Sequence, residues 1–132
     1  MKRKETREEA IKIAYTMDIN KNFNKEVLNS HLESFIIEDL DYEYLKKTID
    51  DLTNNIDAIN KHIIDNSKDW KINRIAKVDL AILRVAIAEI LYNDTIPTSV
   101  AINEAVEASK KYSNEDSHKY INGILGTVAR EI

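Results

Sequence analysis

Turn-forming residues are scarce in this chain, and their scarcity is the strongest constraint on what it can fold into. Its 132 residues include two Gly and one Pro. Sandwiches, barrels and phosphate-binding loops need such residues at their turns. The length fits one domain with a core of its own. We therefore expect a single all-α domain built from helices that short links join.

Apolar side chains recur three and four positions apart along most of the chain, which is the spacing of one helix face. In the first half this spacing predicts a helix from about Arg3 to Ile19. A second helix follows and buries Leu28, Leu32, Phe35 and Ile36. The third predicted helix carries a continuous apolar seam that comprises Leu45, Ile49, Leu52, Ile56, Ile59 and Ile63.

The second half carries equally clear signals for helices. A large ring at Trp70 anchors a short helical turn, and from Val78 onward the pattern is so apolar that this helix should lie near the centre of the fold. Pro97 marks the start of the next helix. Ser113 followed by Asp116 is typical of a capping box at the start of the last helix. Six or seven helices are predicted in all.

Composition excludes most catalytic chemistry. Without Cys there is no thiol nucleophile or disulfide, and the three His, at positions 31, 62 and 118, lack the spacing of metal ligands. We find no nucleophile with a base and no glycine-rich cofactor loop, so we expect no enzymatic activity, no metal and no cofactor. The apolar run Leu80–Tyr92 is too short to span a membrane, and the N-terminus lacks the apolar stretch of a signal peptide. We expect a cytoplasmic protein.

Charge is distributed unevenly along this acidic chain, whose net charge is −4. Residues 1–25 carry +3, residues 26–65 carry −7, and residues 66–132 are neutral. The basic groups at the start of the chain are Lys2, Arg3, Lys4 and Arg7. They could contact phosphate, or they could form a solvated first turn beside the acidic residues at positions 5, 8 and 9.

Two long segments in the C-terminal third are specific enough to indicate a family. They are Val100–Tyr112 (VAINEAVEASKKY) and Glu115–Leu125 (EDSHKYINGIL). Together they resemble the NusB transcription antitermination family. Supporting segments are WKINRI from position 70, DLAILR from position 79, Pro97, and REEAIKIAY from position 7. The resemblance covers the whole chain, and it is closer to the stand-alone family than to the related N-terminal domains of certain RNA cytosine methyltransferases.

The resemblance implies a fold and a set of partners. The fold is a compact helical bundle of two roughly three-helix halves, at about 1–66 and 67–132. Members of such a family bind the single-stranded boxA element of nascent RNA together with NusE, a protein of the small ribosomal subunit. They help RNA polymerase read through terminators, notably in ribosomal RNA operons. Some are dimeric, so a homodimer stays open, and so does a helical adaptor that does not bind RNA directly.

The resemblance also implies which residues bind the partners. The family's basic N-terminus falls on Lys2, Arg3, Lys4 and Arg7, its aromatic of the first helix on Tyr15, and the start of its last helix on Asp116, Lys119 and Tyr120. Lysine and arginine would contact phosphates, tyrosine would stack on unpaired bases, and aspartate would accept from a base amino group. Asp79 falls on a position that the resemblance assigns to the NusE side.

Two of these assignments have simpler structural alternatives. Tyr120 could be a core aromatic of an amphipathic helix, and Asp116 could be a helix cap. The N-terminus is also less rich in arginine than that of the richest family members, with glutamates between its basic residues. We therefore expect weak RNA affinity in isolation and cooperative binding of RNA with NusE.

Overall fold

The computed structural model describes residues 2–24, 26–34, 41–67 and 72–132. These residues form seven α-helices and no strand, which confirms the predicted all-α fold. The helices are α1 (Lys2–Ile19), α2 (Glu26–Ser34), α3 (Tyr42–Asn54), α4 (Ile56–Asn66), α5 (Lys77–Tyr92), α6 (Thr98–Tyr112) and α7 (Ser117–Glu131). A 3-10 turn, Ile72–Arg74, precedes α5. No helix in this part of the chain is both long enough and apolar enough to cross a membrane.

Some predicted features lie outside the described residues. Phe35, Ile36 and Trp70 are among them, as are the side chains of Lys2 and Leu32.

Helix α5 forms the centre of the bundle, as its apolar sequence predicts. Every residue from Asp79 to Ile90 is buried, and the helix packs against α1, α3, α4, α6 and α7. It therefore contacts helices from both predicted halves of the chain. Three buried charged residues interrupt it, Asp79, Arg84 and Glu89, and each needs polar partners because an isolated charge is costly to remove from water. Arg84 donates to Asp18 of α1 at 2.9 Å and to Asn60 of α4 at 2.9 Å.

The single long third helix predicted from the apolar seam is wrong, because the chain breaks at Asn55 into α3 and α4. The backbone N–H and the side-chain amide of Asn55 both donate to the carbonyl oxygen of Asp51, at 3.1 and 2.9 Å. An asparagine that satisfies the last carbonyls of a helix in this way ends it. The apolar seam continues across the break, since Ile49 in α3 and Ile59 in α4 are both fully buried.

The capping box predicted at the start of the last helix is also wrong. Asp116 occupies the N-cap position of α7, but its side chain makes no capping hydrogen bond. The Ser113 hydroxyl donates instead to Asp79 of α5 at 2.6 Å. Pro97 directly precedes α6, and its carbonyl accepts from the N–H groups of Val100 and Ala101 in the first turn of the helix, at 3.0 and 3.1 Å.

The turn that follows α1 contains a residue in the left-handed region. Lys21 has φ of 54°, and two hydrogen bonds close the turn around it. The Asn22 N–H donates to Met17 at 2.9 Å, and the Lys21 N–H donates to Asp18 at 3.1 Å. This pair of bonds defines a Schellman motif, whose left-handed position is most often glycine because other residues carry a Cβ penalty there.

Replacement of Lys21 by glycine should therefore stabilise the protein. We expect Lys21→Gly to raise the free energy of unfolding by about 0.5–1 kcal/mol, less than the full left-handed penalty because glycine also gains entropy in the unfolded chain. Urea unfolding followed by circular dichroism measures the change. Asn20→Gly, one residue earlier in the same turn and without a positive φ, is the control and should not be stabilised. A loss of stability in Lys21→Gly would contradict this description of the turn.

Candidate nucleic-acid interface

A surface furrow runs along α1 where this helix faces α6. Its larger part, here called the apolar groove, has a volume of about 340 Å³, and a smaller depression of about 140 Å³ adjoins it. The apolar groove is lined by Glu8, Ile11, Lys12, Tyr15, Thr16, Val78, Ala81 and Tyr112. The smaller depression shares Glu8 and Ile11 with it and extends toward Lys4 and Lys111. The α1 residues of the furrow recur three and four positions apart, so they share one helix face.

Two exposed tyrosines line the apolar groove. The exposed fraction is 38% for Tyr15 and 39% for Tyr112. The Tyr112 hydroxyl donates to the Glu8 carboxylate at 2.6 Å, and the Lys111 ammonium donates to the same oxygen. The Lys111 ammonium also lies 5.1 Å from the centre of the Tyr112 ring. The ring of Tyr112 is therefore tethered to α1, across the furrow.

This tether depends on the charge of Glu8. Partial burial acts to raise the pKa of Glu8, but the hydrogen bonds from Lys111 and Tyr112 outweigh it and hold the pKa below its ordinary value of 4.5. The carboxylate is thus ionised at neutral pH and accepts both donors.

Arg7 lies on the inner side of α1 and is 5% exposed. Its guanidinium donates two hydrogen bonds to Glu89 of α5, at 2.9 and 2.8 Å. The buried Tyr44 hydroxyl donates to the same carboxylate at 2.7 Å, and the Arg7 guanidinium lies 5.3 Å from the centre of the Tyr44 ring. This placement gives Arg7 a structural role and does not support the predicted contact with phosphate.

Arg3 is also paired, although it is closer to solvent. Its guanidinium donates to Asp41 through two nitrogens, at 3.1 and 2.8 Å, and lies 4.5 Å from the Tyr44 ring centre. Lys4, by contrast, is exposed at one end of the furrow. The predicted basic cluster is thus divided between the helix interface, where Arg3 and Arg7 are paired, and the surface, where Lys4 is exposed. The side chain of Lys2 is outside the described part of the chain.

Asp79 is 6% exposed and joins three helices. Its carboxylate accepts from Ser113, which follows α6, at 2.6 Å, and from Ser117 of α7 at 3.1 Å. Each acceptor oxygen of Asp79 is therefore engaged by a serine. This geometry fixes the turn between α6 and α7 against the first turn of α5, and it leaves little of the Asp79 carboxylate for a partner.

Tyr120 is half-buried, and its ring packs against the core. Its hydroxyl oxygen is buried without a hydrogen-bond partner among the described residues. Burial, with a smaller contribution from nearby Asp79, raises the pKa of Tyr120 to about 12. Its placement matches the alternative of a core aromatic, and part of its surface stays accessible.

Asp116 and Lys119 are exposed at the start of α7. The structure therefore leaves four predicted interface side chains substantially exposed, namely Lys4, Tyr15, Asp116 and Lys119. Sequence reasoning missed Tyr112 and Glu8 as groove residues. The available signal was weak, because the side chains meet only through the way in which α1 and α6 both pack against α5. Among the described residues no group of His, Asp and Glu is placed to hold a metal ion.

Comparison with known proteins confirms the resemblance found in the sequence. Residues 4–130 match the NusB family. The transcription antitermination protein NusB of Acetivibrio thermocellus is 45% identical over 130 residues, which cover 98% of this chain and 90% of that protein. The solved structure of NusB from T. maritima is similar with a TM-score of 0.86 at 29% identity, covering 99% of this chain and 92% of that one.

A second solved structure contains a related protein with its partners. It is the crystal structure of the antitermination factors NusB and NusE in complex with double-stranded RNA. The matching chain has a TM-score of 0.86 at 26% identity, and the match covers 98% of this chain and 96% of that one.

The buried pair of Arg7 and Glu89 predicts a large effect on stability. Arg7→Met leaves the Glu89 carboxylate buried without its cation, so we expect a loss of about 3–5 kcal/mol in the free energy of unfolding. Adding Glu89→Gln to Arg7→Met removes the uncompensated charge and should recover part of that loss. Urea unfolding measures both effects.

Lys4→Met is the matched control, since Lys4 is an exposed cation on the same helix. Its free energy of unfolding should change by no more than about 0.5 kcal/mol. Equal effects of Arg7→Met and Lys4→Met would contradict the structural role of Arg7.

The tether at Glu8 predicts a pH dependence. Because the folded state lowers the pKa of Glu8, its contribution to stability is present above the ordinary pKa of 4.5 and is lost as the pH falls through the lowered value. Glu8→Gln should be less stable than the natural chain at pH 7 by up to about 1 kcal/mol. The difference should shrink in thermal unfolding experiments as the pH falls below the ordinary pKa of 4.5 and through the lowered value. A difference that stayed constant across this range would count against the tether.

Proposed function

The chain belongs to the NusB family, and on that premise we propose that it is a transcription antitermination factor that binds boxA-type single-stranded RNA together with NusE. The observation that carries the proposal is the family match over residues 4–130, nearly the whole chain. The relatives bear the name of an antitermination protein, in agreement with the prediction that the chain is not an enzyme. The site of action would be the antitermination complex of RNA polymerase, notably on ribosomal RNA operons.

The exposed residues supply the contacts that such RNA requires. In this proposal Lys4 contacts phosphate at one end of the furrow, and Lys119 does so at the start of α7. The resemblance to the family assigns a phosphate contact to Lys2 as well, and the proposal includes it. Tyr15 offers a ring face on which an unpaired base can stack, and Asp116 accepts from a base amino group, since its carboxylate is not used as a helix cap.

The buried and paired residues act in a different way. Arg3 and Arg7 hold α1 against α3 and α5 and so position the residues that contact RNA. Tyr120 supports the start of α7 and presents its accessible edge. Asp79 affects the NusE side through the turn that it holds, from Ser113 to Ser117, rather than by a direct contact of its carboxylate.

The pairing of the arginines supports a shared RNA site with NusE. Two of the basic groups at the N-terminus are engaged by Asp41 and Glu89, so fewer charges remain to neutralise phosphates. Because phosphate neutralisation supplies most sequence-independent affinity, the isolated protein should bind RNA weakly. NusE would complete the surface, which gives cooperativity between partner and RNA. A homodimer that covered the furrow would compete with RNA.

The same observation favours the second candidate function, a helical adaptor without direct RNA contact. A salt titration separates the two functions. With NusE saturating, binding of a boxA-type RNA should weaken as salt rises, with a logarithmic slope of about −0.7 for each phosphate contact. Lys4→Ala should reduce this slope by about one contact. A scrambled RNA should bind more weakly than the boxA-type RNA.

Lys61→Ala is the control variant, because Lys61 is an exposed lysine of α4 that pairs with Asp65. It should leave the slope unchanged. The adaptor function is correct if the salt dependence of RNA affinity has one slope in three samples. These are NusE with the natural chain, NusE with Lys4→Ala, and NusE by itself.

A further inference from the structure

The apolar groove has features that the general proposal of RNA binding does not use. Its volume of about 340 Å³ lies at the lower end of the range for small-molecule sites, roughly 300–1,000 Å³. This size fits one ring system and is small for a helix or an extended peptide. The two tyrosines that line it come from different helices, α1 and α6, which lie adjacent along the furrow.

The floor and the rim of the groove differ in character. Ile11, Val78 and Ala81 supply an apolar floor. At the rim lies the exposed side chain of Lys12, whose ammonium pairs with Glu9 at 3.1 Å, and the exposed Lys111, which pairs with Glu8, lies in the adjoining depression. An aromatic, apolar slot of this kind is complementary to the flat face of a base, and surface ion pairs such as those of Lys12 and Lys111 are weak enough to exchange a carboxylate for a phosphate of the backbone outside.

One wall of the groove is held in position by the protein itself. The Tyr112 hydroxyl and the Lys111 ammonium share the Glu8 carboxylate, so the Tyr112 ring is tethered before any ligand arrives. A ring that is already ordered loses less conformational entropy when a base stacks on it. The tether therefore favours stacking of a base on Tyr112, even though an exposed side chain would otherwise be free to move.

From these features we infer that the apolar groove takes one unpaired base of the bound single-stranded RNA, with Tyr15 and Tyr112 as its two aromatic walls. The inference rests on the proposed RNA-binding function and adds Tyr112, on α6, to the residues that contact RNA. Stacking tolerates any base, because every base has a π-face. The groove thus positions the strand more than it selects a sequence.

The test uses boxA-type RNA in which one base at a time is replaced by a fluorescent adenine analogue, bound in the presence of saturating NusE. One position should be quenched on binding because its base stacks on tyrosine. Tyr112→Ala removes one of the two aromatic walls, so it should reduce that quenching and weaken RNA binding by about 5- to 150-fold, the range that corresponds to loss of one stacking aromatic. Tyr112→Phe keeps the ring and should retain the quenching.

Tyr42→Ala is the matched control, since Tyr42 is an exposed tyrosine of α3 that does not line the groove. It should change neither the quenching nor the affinity. Thermal unfolding checks that each variant is folded, and Tyr112→Leu, which keeps the bulk without the flat ring, replaces Tyr112→Ala if the latter unfolds.

The possible failures are distinguishable. If the natural chain binds RNA but neither Tyr112→Ala nor Tyr112→Leu alters quenching or affinity, the groove inference is wrong and the proposed function stands. If Tyr112→Ala weakens NusE binding and leaves RNA contact unchanged, the groove holds a side chain of the protein partner and the inference is also wrong. If the natural chain with NusE does not bind the RNA better than NusE by itself, the proposed function fails first.

Discussion

The buried ion pair between Arg7 and Glu89 is the interaction on which the rest of the structure depends. It joins α1 to the central helix α5, and Tyr44 adds α3 through a third hydrogen bond to the same carboxylate. Such a pair contributes little to stability compared with an apolar packing, but removal of one partner is costly. Its main consequence is therefore geometric. Together with the buried apolar side chains of α1, such as Ile13 and Met17, it fixes which face of α1 is turned inward and which face forms the furrow.

That orientation divides the basic N-terminus into two functional groups. Arg7 points inward and Arg3 is held by Asp41, whereas Lys4, Lys12 and Tyr15 remain at the surface. The positive charge counted along the sequence thus overstates the charge available to RNA. A site with few free cations must obtain affinity from stacking and from a partner. Shared RNA binding with NusE and a base held in the apolar groove are both consistent with the small number of free cations.

Helical spacing predicted most of the fold, because one apolar face per helix suffices to identify a helix and its buried side. The break at Asn55 was missed because its cause is one side-chain hydrogen bond, which leaves the apolar seam unchanged. The site was harder to predict. Arg84 and Glu89 are charges within the most apolar helix and therefore need buried partners, but sequence periodicity cannot identify a partner as distant as Arg7. The contact of Tyr112 with Glu8 likewise depends on how α1 and α6 are both arranged against α5.

The most direct test of this account is a map of backbone amide chemical shifts when boxA-type RNA is added to the protein already bound to NusE. The largest changes should fall along the outer face of α1 between Lys4 and Thr16, at Tyr112 and at the start of α7. Amides around the buried pair of Arg7 and Glu89 should change less than these. Changes concentrated on α3 and α4, with the furrow unaffected, would contradict the account.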